Sequence, residues 1–181
     1  MARGEAREEE SGLQVQARPI NSSHRYTVGL GANLGDRLAN LNAAIAALKP
    51  VIAEDSLRRS SWWESEAIGG PGPSYVNAVI EFSSELEPRS MLAVLQDIET
   101  KLGRKRSRPN AARTLDLDIL LADEQVFEEA GLQIPHPRMH LRAFVLQPLL
   151  EIDPQRQIPG VGPAAFWLEQ CRNQHCVRME Q

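Results

Sequence analysis

Hydrophobic and polar residues alternate along the chain with two different periods, and each change of period marks a new element. Residues 25–32, RYTVGLGA, alternate in the manner of a strand. The segment after them places four apolar side chains at helical spacing: Leu38, Leu41, Ile45 and Leu48. Asp36 stands where it would cap that helix, and Lys49 with Pro50 would end it. The pattern therefore predicts a strand followed by an amphipathic helix.

The same reasoning predicts two further strands and a second helix. The strands cover residues 56–65, SLRRSSWWES, and residues 75–84, YVNAVIEFSS, with the Gly/Pro-rich loop EAIGGPGPS between them. The helix covers residues 87–103, where Pro88 fits the first turn and Gly103 stops the last. A strand, a loop, a strand and a helix thus follow the first helix.

The next strand carries two carboxylates in an otherwise apolar run, ARTLDLDILL, residues 112–121. Because strand side chains alternate, Asp116, Asp118 and Leu120 are predicted on one face. The other face is predicted to hold Leu115, Leu117, Ile119 and Leu121. Two desolvated carboxylates on one face repel each other, and a cation is the expected compensation. Carboxylate oxygens suit Mg²⁺, and an ordinary exposed strand face is the alternative.

The order strand, helix, strand, strand, helix, strand is the βαββαβ unit of an α+β, ferredoxin-like sandwich. A Pro-rich loop, a helix and a weakly patterned C-terminal extension follow it. We expect a flexible tail over residues 1–24, one domain over 25–160, and an extension over 161–181. This fold hosts many unrelated activities, so the function has to come from particular residues.

Overall charge argues against two classes of partner. The 181 residues carry a net charge of −4, whereas general nucleic-acid and membrane binders usually carry a basic excess. We therefore expect no nucleic-acid and no membrane partner. The sequence shows no apolar run of about 20 residues and no secretory signal. We expect a cytoplasmic protein that acts as a monomer.

One segment departs from this acidic balance. Residues 103–113, GRKRSRPNAAR, hold five basic side chains and no acid, directly before the two aspartates. Guanidinium groups suit phosphate oxygens, so a polyanion and a metal are predicted to meet there. For any single arginine of the segment, an exposed position without function is the alternative.

Two other motifs favour plainer interpretations. GLGANLG is close to a dinucleotide-binding fingerprint, but Leu34 stands where the third glycine belongs, and we interpret its glycines as shaping a turn. No P-loop motif occurs. Cys171 and Cys176 with His175 are one ligand short of a closed zinc site, so we interpret them as ordinary thiols.

Tyr75 and Asn77 are predicted on one face of their strand. An aromatic ring beside an amide could stack on a flat heterocycle and hydrogen-bond its edge, although two ordinary sheet residues would give the same pattern. His136, taken alone, is more typical of a loop or packing histidine than of a ligand.

Together these motifs resemble a known family. GLGANLGD, YVNAV, LGRKRSRPNAARTLDLDILL and IPHPRMHLRAFVLQPLLEI are similar to 6-hydroxymethyl-7,8-dihydropterin pyrophosphokinases, from about Tyr26 to Pro154. The resemblance implies transfer of pyrophosphate from ATP to the hydroxymethyl group of a reduced pterin, with release of AMP, in folate biosynthesis. It also implies ATP as co-substrate and two Mg²⁺ ions.

The resemblance implies roles for individual residues. Asp116 and Asp118 would hold the two magnesium ions, and Arg104 and Arg113 would act on the transferring phosphates. Further ATP contacts would come from Gln96, Glu99, Arg106, His136 and Arg142. The pterin would be held by Ser65, Ile68, Tyr75, Asn77 and Phe144.

The sequence also departs from the family pattern. Asn110 stands where many relatives have a tryptophan that seals a closed loop, and Pro137 stands where some have an ATP-contacting tyrosine. Residues 66–74 and 104–113 would be loops that close over the substrates.

Two other classes of function compete with this interpretation. An RNA-binding module of the same fold should carry aromatic residues on its central strands, where this chain has the two aspartates. A small-ligand regulatory domain would leave the arginines and aspartates without a role. The sequence therefore favours the enzyme.

Overall fold

The computed structural model describes residues 23–67, 72–104 and 113–180. Most of the predicted N-terminal tail lies outside these residues. His24, assigned to that tail, instead belongs to the first strand: its side chain is buried, and Nδ1 lies 2.8 Å from Asp123 Oδ2. The first strand therefore begins one residue earlier than predicted.

The described residues contain ten strands and four α-helices. The strands are β1 His24–Ala32, β2 Arg58–Arg59, β3 Trp63–Ser65, β4 Tyr75–Ser84, β5 Asp116–Ala122, β6 Phe127–Glu129, β7 Leu132–Ile134, β8 Gln157–Ile158, β9 Gly162–Pro163 and β10 Cys176–Arg178. The helices are α1 Arg37–Leu48, α2 Pro88–Lys101, α3 Ala143–Ile152 and α4 Ala164–Gln170.

The main sheet is antiparallel and lies between two helical layers. Its strands follow the order β10, β3, β4, β1, β5, and β2 also pairs with β4. Core residues of α1 and α2 pack on one face, and those of α3 and α4 pack on the other. The predicted α+β class is confirmed. The described residues include no helix long and apolar enough to cross a membrane.

Local signals correctly placed the first two helices. Asp36 Oδ1 accepts a hydrogen bond from the Ala39 N–H at 3.0 Å, the expected N-cap. α2 is followed by Gly103 with a φ of +86°, a left-handed conformation that costs glycine least. Leu38, predicted on the apolar stripe of α1, stays 37% exposed. The buried stripe of α1 therefore begins one turn later, at Leu41.

The predicted second strand is interrupted. Ser60 donates its backbone N–H to the Val79 carbonyl at 3.0 Å, and its hydroxyl oxygen accepts the Val79 N–H at 3.0 Å. Because this side chain takes the place of a backbone acceptor, the regular ladder stops, and β2 and β3 remain separate short strands.

Because of a β-bulge, the side chains of β5 do not follow the strict alternation that the sequence predicted. The pairing of β1 with β5 shifts register between Thr27 and Val28. Beyond the shift, Leu121 packs in the α3-side core together with Leu120 rather than with Leu117. An extra residue in one strand reverses the side-chain alternation that follows it, so strict alternation was wrong for Leu121.

Candidate active site

The two aspartates lie beside the predicted pterin strand because β1 joins β5 to β4. Gly31 of β1 pairs with Asp116 on one side and with Asn77 on the other, and Gly29 pairs with Asp118. The two carboxylates and the Asn77 amide therefore lie at the same end of the sheet, and β1, with its glycines, is the one strand between them.

A cavity of about 450 Å³ opens over this end of the sheet. Ten of the predicted site residues line it: Ser65, Tyr75, Asn77, Arg104, Arg113, Asp116, Asp118, His136, Arg142 and Phe144. Their positions span residues 65–144, so the fold collects residues that are distant in sequence. The cavity is the candidate active site.

Gly29 and Gly31 form part of the cavity floor. We interpreted the glycines of GLGANLG as turn residues, and for these two that was wrong because both lie within β1. A Cβ on Gly31 would lie 3.3 Å from Asn77 Oδ1, and one on Gly29 would lie 3.3 Å from Leu120. Only Gly35 of the motif has a positive φ, +67°. The strand glycines therefore leave room above the sheet.

Arginines surround the first aspartate. Asp116 Oδ1 lies 2.8 Å from Arg113 Nη1 and 3.1 Å from Arg104 Nη1. These cations offset the charge of the carboxylate and stand where they can also bind phosphate oxygens. Two arginines of the basic segment thus contact Asp116, while the polyanion and the metal predicted to meet there stay a prediction.

The pKa values of Asp118 and His136 are both shifted in the direction that favours the neutral form. Burial, followed by repulsion from Asp116, raises the pKa of Asp118 to about 6. Burial and the charges of Arg142 and Arg138 lower the pKa of His136 to about 4. His136 Nδ1 accepts the Arg138 N–H at 3.1 Å, so the proton of the neutral ring lies on Nε2, which is 3.9 Å from Asp118 Oδ2.

Other residues of the cavity suit a flat ring. Asn77 Nδ2 donates to Ser65 Oγ at 3.0 Å, which fixes the orientation of the amide. Phe144 lies under Arg142, whose Cζ is 5.5 Å from the ring centroid. Burial raises the pKa of Tyr75, the second aromatic residue of the cavity. The cavity thus combines aromatic surface, an oriented amide and charged groups.

Four predicted residues are not among those that line the cavity. Gln96 is exposed on α2. Glu99 is buried, accepts the Leu117 N–H at 2.8 Å and pairs with Arg104. Glu99 is therefore placed to hold Arg104. Ile68 and Arg106 lie outside the described residues, as does Asn110, whereas Pro137 is exposed.

Asn33 and Arg138 also line the cavity, and sequence reasoning did not assign either to the site. Asn33 is buried between two loops, with Nδ2 donating to the Pro73 carbonyl at 3.3 Å and Oδ1 accepting the Arg113 N–H at 2.7 Å. Its place inside the glycine motif was the available signal. Arg138 is the basic residue of the PHPR segment.

The chemistry of the aspartates fits magnesium. Mg²⁺ usually takes one or two protein carboxylates and completes its octahedron with water and phosphate oxygens. Within residues 23–67, 72–104 and 113–180, no cluster of three His, Cys, Asp or Glu side chains could hold a metal.

Cys171 and Cys176 are free thiols, and burial raises the pKa of each.

Comparison with known sequences identifies one family. The model of the 7,8-dihydro-6-hydroxymethylpterin-pyrophosphokinases matches residues 27–154. A 2-amino-4-hydroxy-6-hydroxymethyldihydropteridine pyrophosphokinase of Synechocystis is 44% identical over 145 residues, 80% of this chain and 74% of that protein. The enzyme of the same name from Haemophilus influenzae is 40% identical over 134 residues, 74% of this chain and 84% of that protein.

Comparison with solved structures supports the fold alone. Wild-type Plasmodium falciparum HPPK-DHPS with pterin and p-hydroxybenzoate superposes with a TM-score of 0.65 at 12% identity, over 83% of this chain and 42% of that one. An HPPK-DHPS in complex with substrates gives 0.63 at 11% identity, over 81% and 43%. This chain spans less than half the length of either.

Proposed function

The chain belongs to the 7,8-dihydro-6-hydroxymethylpterin-pyrophosphokinase family of ATP diphosphotransferases acting on a pterin, and on that premise we propose its reaction in detail. It transfers the terminal diphosphate of ATP to the hydroxymethyl oxygen of 6-hydroxymethyl-7,8-dihydropterin, releases AMP and serves folate biosynthesis. The observation that carries the proposal is one cavity that is lined both by paired carboxylates with arginines and by two aromatic rings.

Asp116 and Asp118 would hold two Mg²⁺ ions against the triphosphate. The raised pKa of Asp118 supports this role, because a desolvated carboxylate beside another gains most from a bound cation. When bound, the metal neutralises phosphate oxygens and so makes the phosphorus easier to attack.

Arg104, Arg113 and Arg142 would bind the phosphates that move. Arg104 and Arg113 contact Asp116, so they stand next to the metal position and can stabilise charge that develops on the transferring group. His136, neutral with its proton on Nε2, can donate one hydrogen bond to a phosphate oxygen without adding charge.

Tyr75 and Phe144 would stack on the pterin, and Asn77 would read its edge. The Asn77 to Ser65 hydrogen bond supports this role because it orients the amide before the ligand arrives. A ring stacked there would place its hydroxymethyl group toward phosphates held at Asp116, because Asn77 and Asp116 pair with the same residue of β1, Gly31.

The step itself is a displacement at the β-phosphorus. A new bond forms between the hydroxymethyl oxygen and the β-phosphorus. The bond from the β-phosphorus to the oxygen that bridges it to the α-phosphorus breaks, and AMP leaves with that oxygen. The hydroxyl proton passes to solvent. Catalysis is then mainly positioning and electrostatics, and no covalent enzyme intermediate is needed.

We further assign the sheet to the ferredoxin-like topology, supported by the strand order β3, β4, β1, β5 with α1 and α2 on one face. We assign residues 25–160 to the catalytic domain and 161–181 to an extension, in a cytoplasmic monomer. Light scattering during size-exclusion chromatography tests the oligomeric state.

A labelled substrate tests the reaction. The protein is incubated with Mg²⁺, the reduced pterin and ATP labelled at the β-phosphate, and products are resolved. We expect AMP only when pterin is present, with the label on the pterin and no turnover under EDTA. ADP as product, or label that stays in the nucleotide, would overturn the proposal.

A further inference from the structure

Gln174 lies beyond residue 154, where the family match ends, yet its side chain reaches the active-site wall. Its Oε1 accepts the Ala143 N–H at 2.8 Å, and its Nε2 donates to the Leu141 carbonyl at 2.8 Å. The two bonded backbone groups stand on either side of Arg142. One amide side chain therefore holds the backbone on both sides of an arginine that lines the cavity.

These bonds give hydrogen-bond partners to two backbone groups at the start of α3. Ala143 is the first residue of α3, and the N–H groups of the first helical turn have no acceptor within the helix. Arg142 stands at the N-cap and provides no side-chain cap. Gln174, 31 residues away in sequence, supplies that acceptor.

Gln174 is itself held on both sides. Before it, the rings of Trp167 and His140 pack edge to face with centroids 4.7 Å apart, and Cys171 is buried against α3. The Gln174 N–H donates to the Cys171 carbonyl at 2.9 Å. After it, Cys176 of β10 pairs with Ser65 of β3, which lines the cavity. The segment is thus a fixed support.

We propose that Gln174 is a positioning residue that sets Arg142 and Phe144 for their substrates. The inference rests on the proposed function, in which Arg142 binds ATP phosphates and Phe144 stacks on the pterin. Phe144 is the residue after Ala143, whose backbone Gln174 holds. The Arg142 guanidinium lies over the Phe144 ring. Fixing this backbone before binding lowers the entropy lost when both substrates are held.

Three variants separate positioning from folding. Gln174→Met keeps the side-chain length and removes both hydrogen bonds. Gln174→Glu keeps an acceptor for the Ala143 N–H and loses the donor to Leu141. Gln170→Ala, an exposed glutamine at the end of α4, is the matched control. For each we measure Tm, kcat, and KM for ATP and for the pterin with the wild-type protein alongside.

We expect Q174M to raise KM for both substrates about three- to tenfold, which corresponds to the loss of one or two neutral hydrogen bonds. Q174E should recover part of the loss, and Q170A should match wild type. Wild-type KM values in Q174M, or a lower Tm and active fraction with unchanged KM, would overturn the inference. So would Q174E as impaired as Q174M.

If Q174M does not fold, Q174E carries the test. Its missing donor should still raise the KM for ATP, and wild-type values for both substrates would overturn the inference. Failure of the proposed function would look different, because the wild-type protein would then form no AMP from ATP and the pterin.

Discussion

Asn33 binds Arg113 through both side chain and backbone. Its Oδ1 accepts the Arg113 N–H at 2.7 Å, and its own N–H donates to the Arg113 carbonyl at 3.1 Å. Its Nδ2 also donates to the Pro73 carbonyl at 3.3 Å. Asn33, the residue after β1, therefore joins two segments that border the active-site cavity.

Asn33→Ala should lower turnover about tenfold, because Arg113 would lose one of the bonds that place it beside Asp116. Loss of this buried polar side chain should also reduce the free energy of unfolding by about 1 to 2 kcal/mol. Steady-state kinetics and urea unfolding measure both effects. Asn42→Ala, on the exposed face of α1, is the control and should change neither. Wild-type kcat in N33A would contradict this role.

Asp118→Asn should stabilise the metal-free protein while removing activity. A folded-state pKa of about 6, raised by burial and by Asp116, means that the ionised carboxylate destabilises the folded state above pH 6. Since 41% of the side chain is accessible, we discount the gain to about 1 kcal/mol. The gain should be full above about pH 6 and vanish as the pH falls toward the unfolded pKa of about 4.

Urea unfolding of D118N under EDTA at several pH values measures that gain. Turnover should fall at least about a hundredfold, since the proposed metal site would lose one of its two carboxylates. Asp97→Asn on the exposed face of α2 is the control, and its stability should change by less than about 0.5 kcal/mol. Full activity in D118N would refute the metal assignment.

Glu99→Gln should weaken ATP use without abolishing folding. The amide oxygen can still accept the Leu117 N–H, but the ion pair with Arg104 is lost. We expect kcat/KM for ATP to fall about tenfold because Arg104 would keep, among the described residues, only its ion pair with Asp116. Gln96→Ala tests the family-based assignment of Gln96, which is exposed. If Q96A lowers kcat/KM for ATP as much as E99Q does, the result would show that Gln96 contacts ATP directly. Support of Arg104 is the role assigned to Glu99.

Asp123→Asn should destabilise the protein more in acid than in base. Burial lowers the pKa of His24, but hydrogen bonds to Asp123 and Glu87 outweigh it, and the pKa is raised. A raised histidine pKa contributes stability that is full below about pH 6.5 and is lost as the pH rises through the folded value.

The asparagine can still accept the Arg25 N–H that Asp123 Oδ1 accepts now, so the change removes mainly the charge. We expect D123N to cost about 1 kcal/mol more at about pH 5.5 than at about pH 8.5, measured by urea unfolding. Equal losses at the two pH values would mean that His24 is neutral throughout this range.

Local patterns determined much of this protein from sequence. The extents of β4 and of the first two helices follow from hydrophobic period, the Asp36 cap and the turn at Gly103, all of which act within a few residues. The paired aspartates and the basic segment before them could be identified from the sequence for the same reason. The family resemblance added the roles of distant residues.

Tertiary structure decided what depends on pairing between distant segments. The bulge that turns Leu121 to the other core is a property of β1 and β5 together, and the strand glycines at Gly29 and Gly31 become a cavity floor only between their neighbours. The Asn33 to Arg113 contact spans 80 residues and the Gln174 to Ala143 contact 31. Such contacts depend on strand register and helix packing, which no local period encodes.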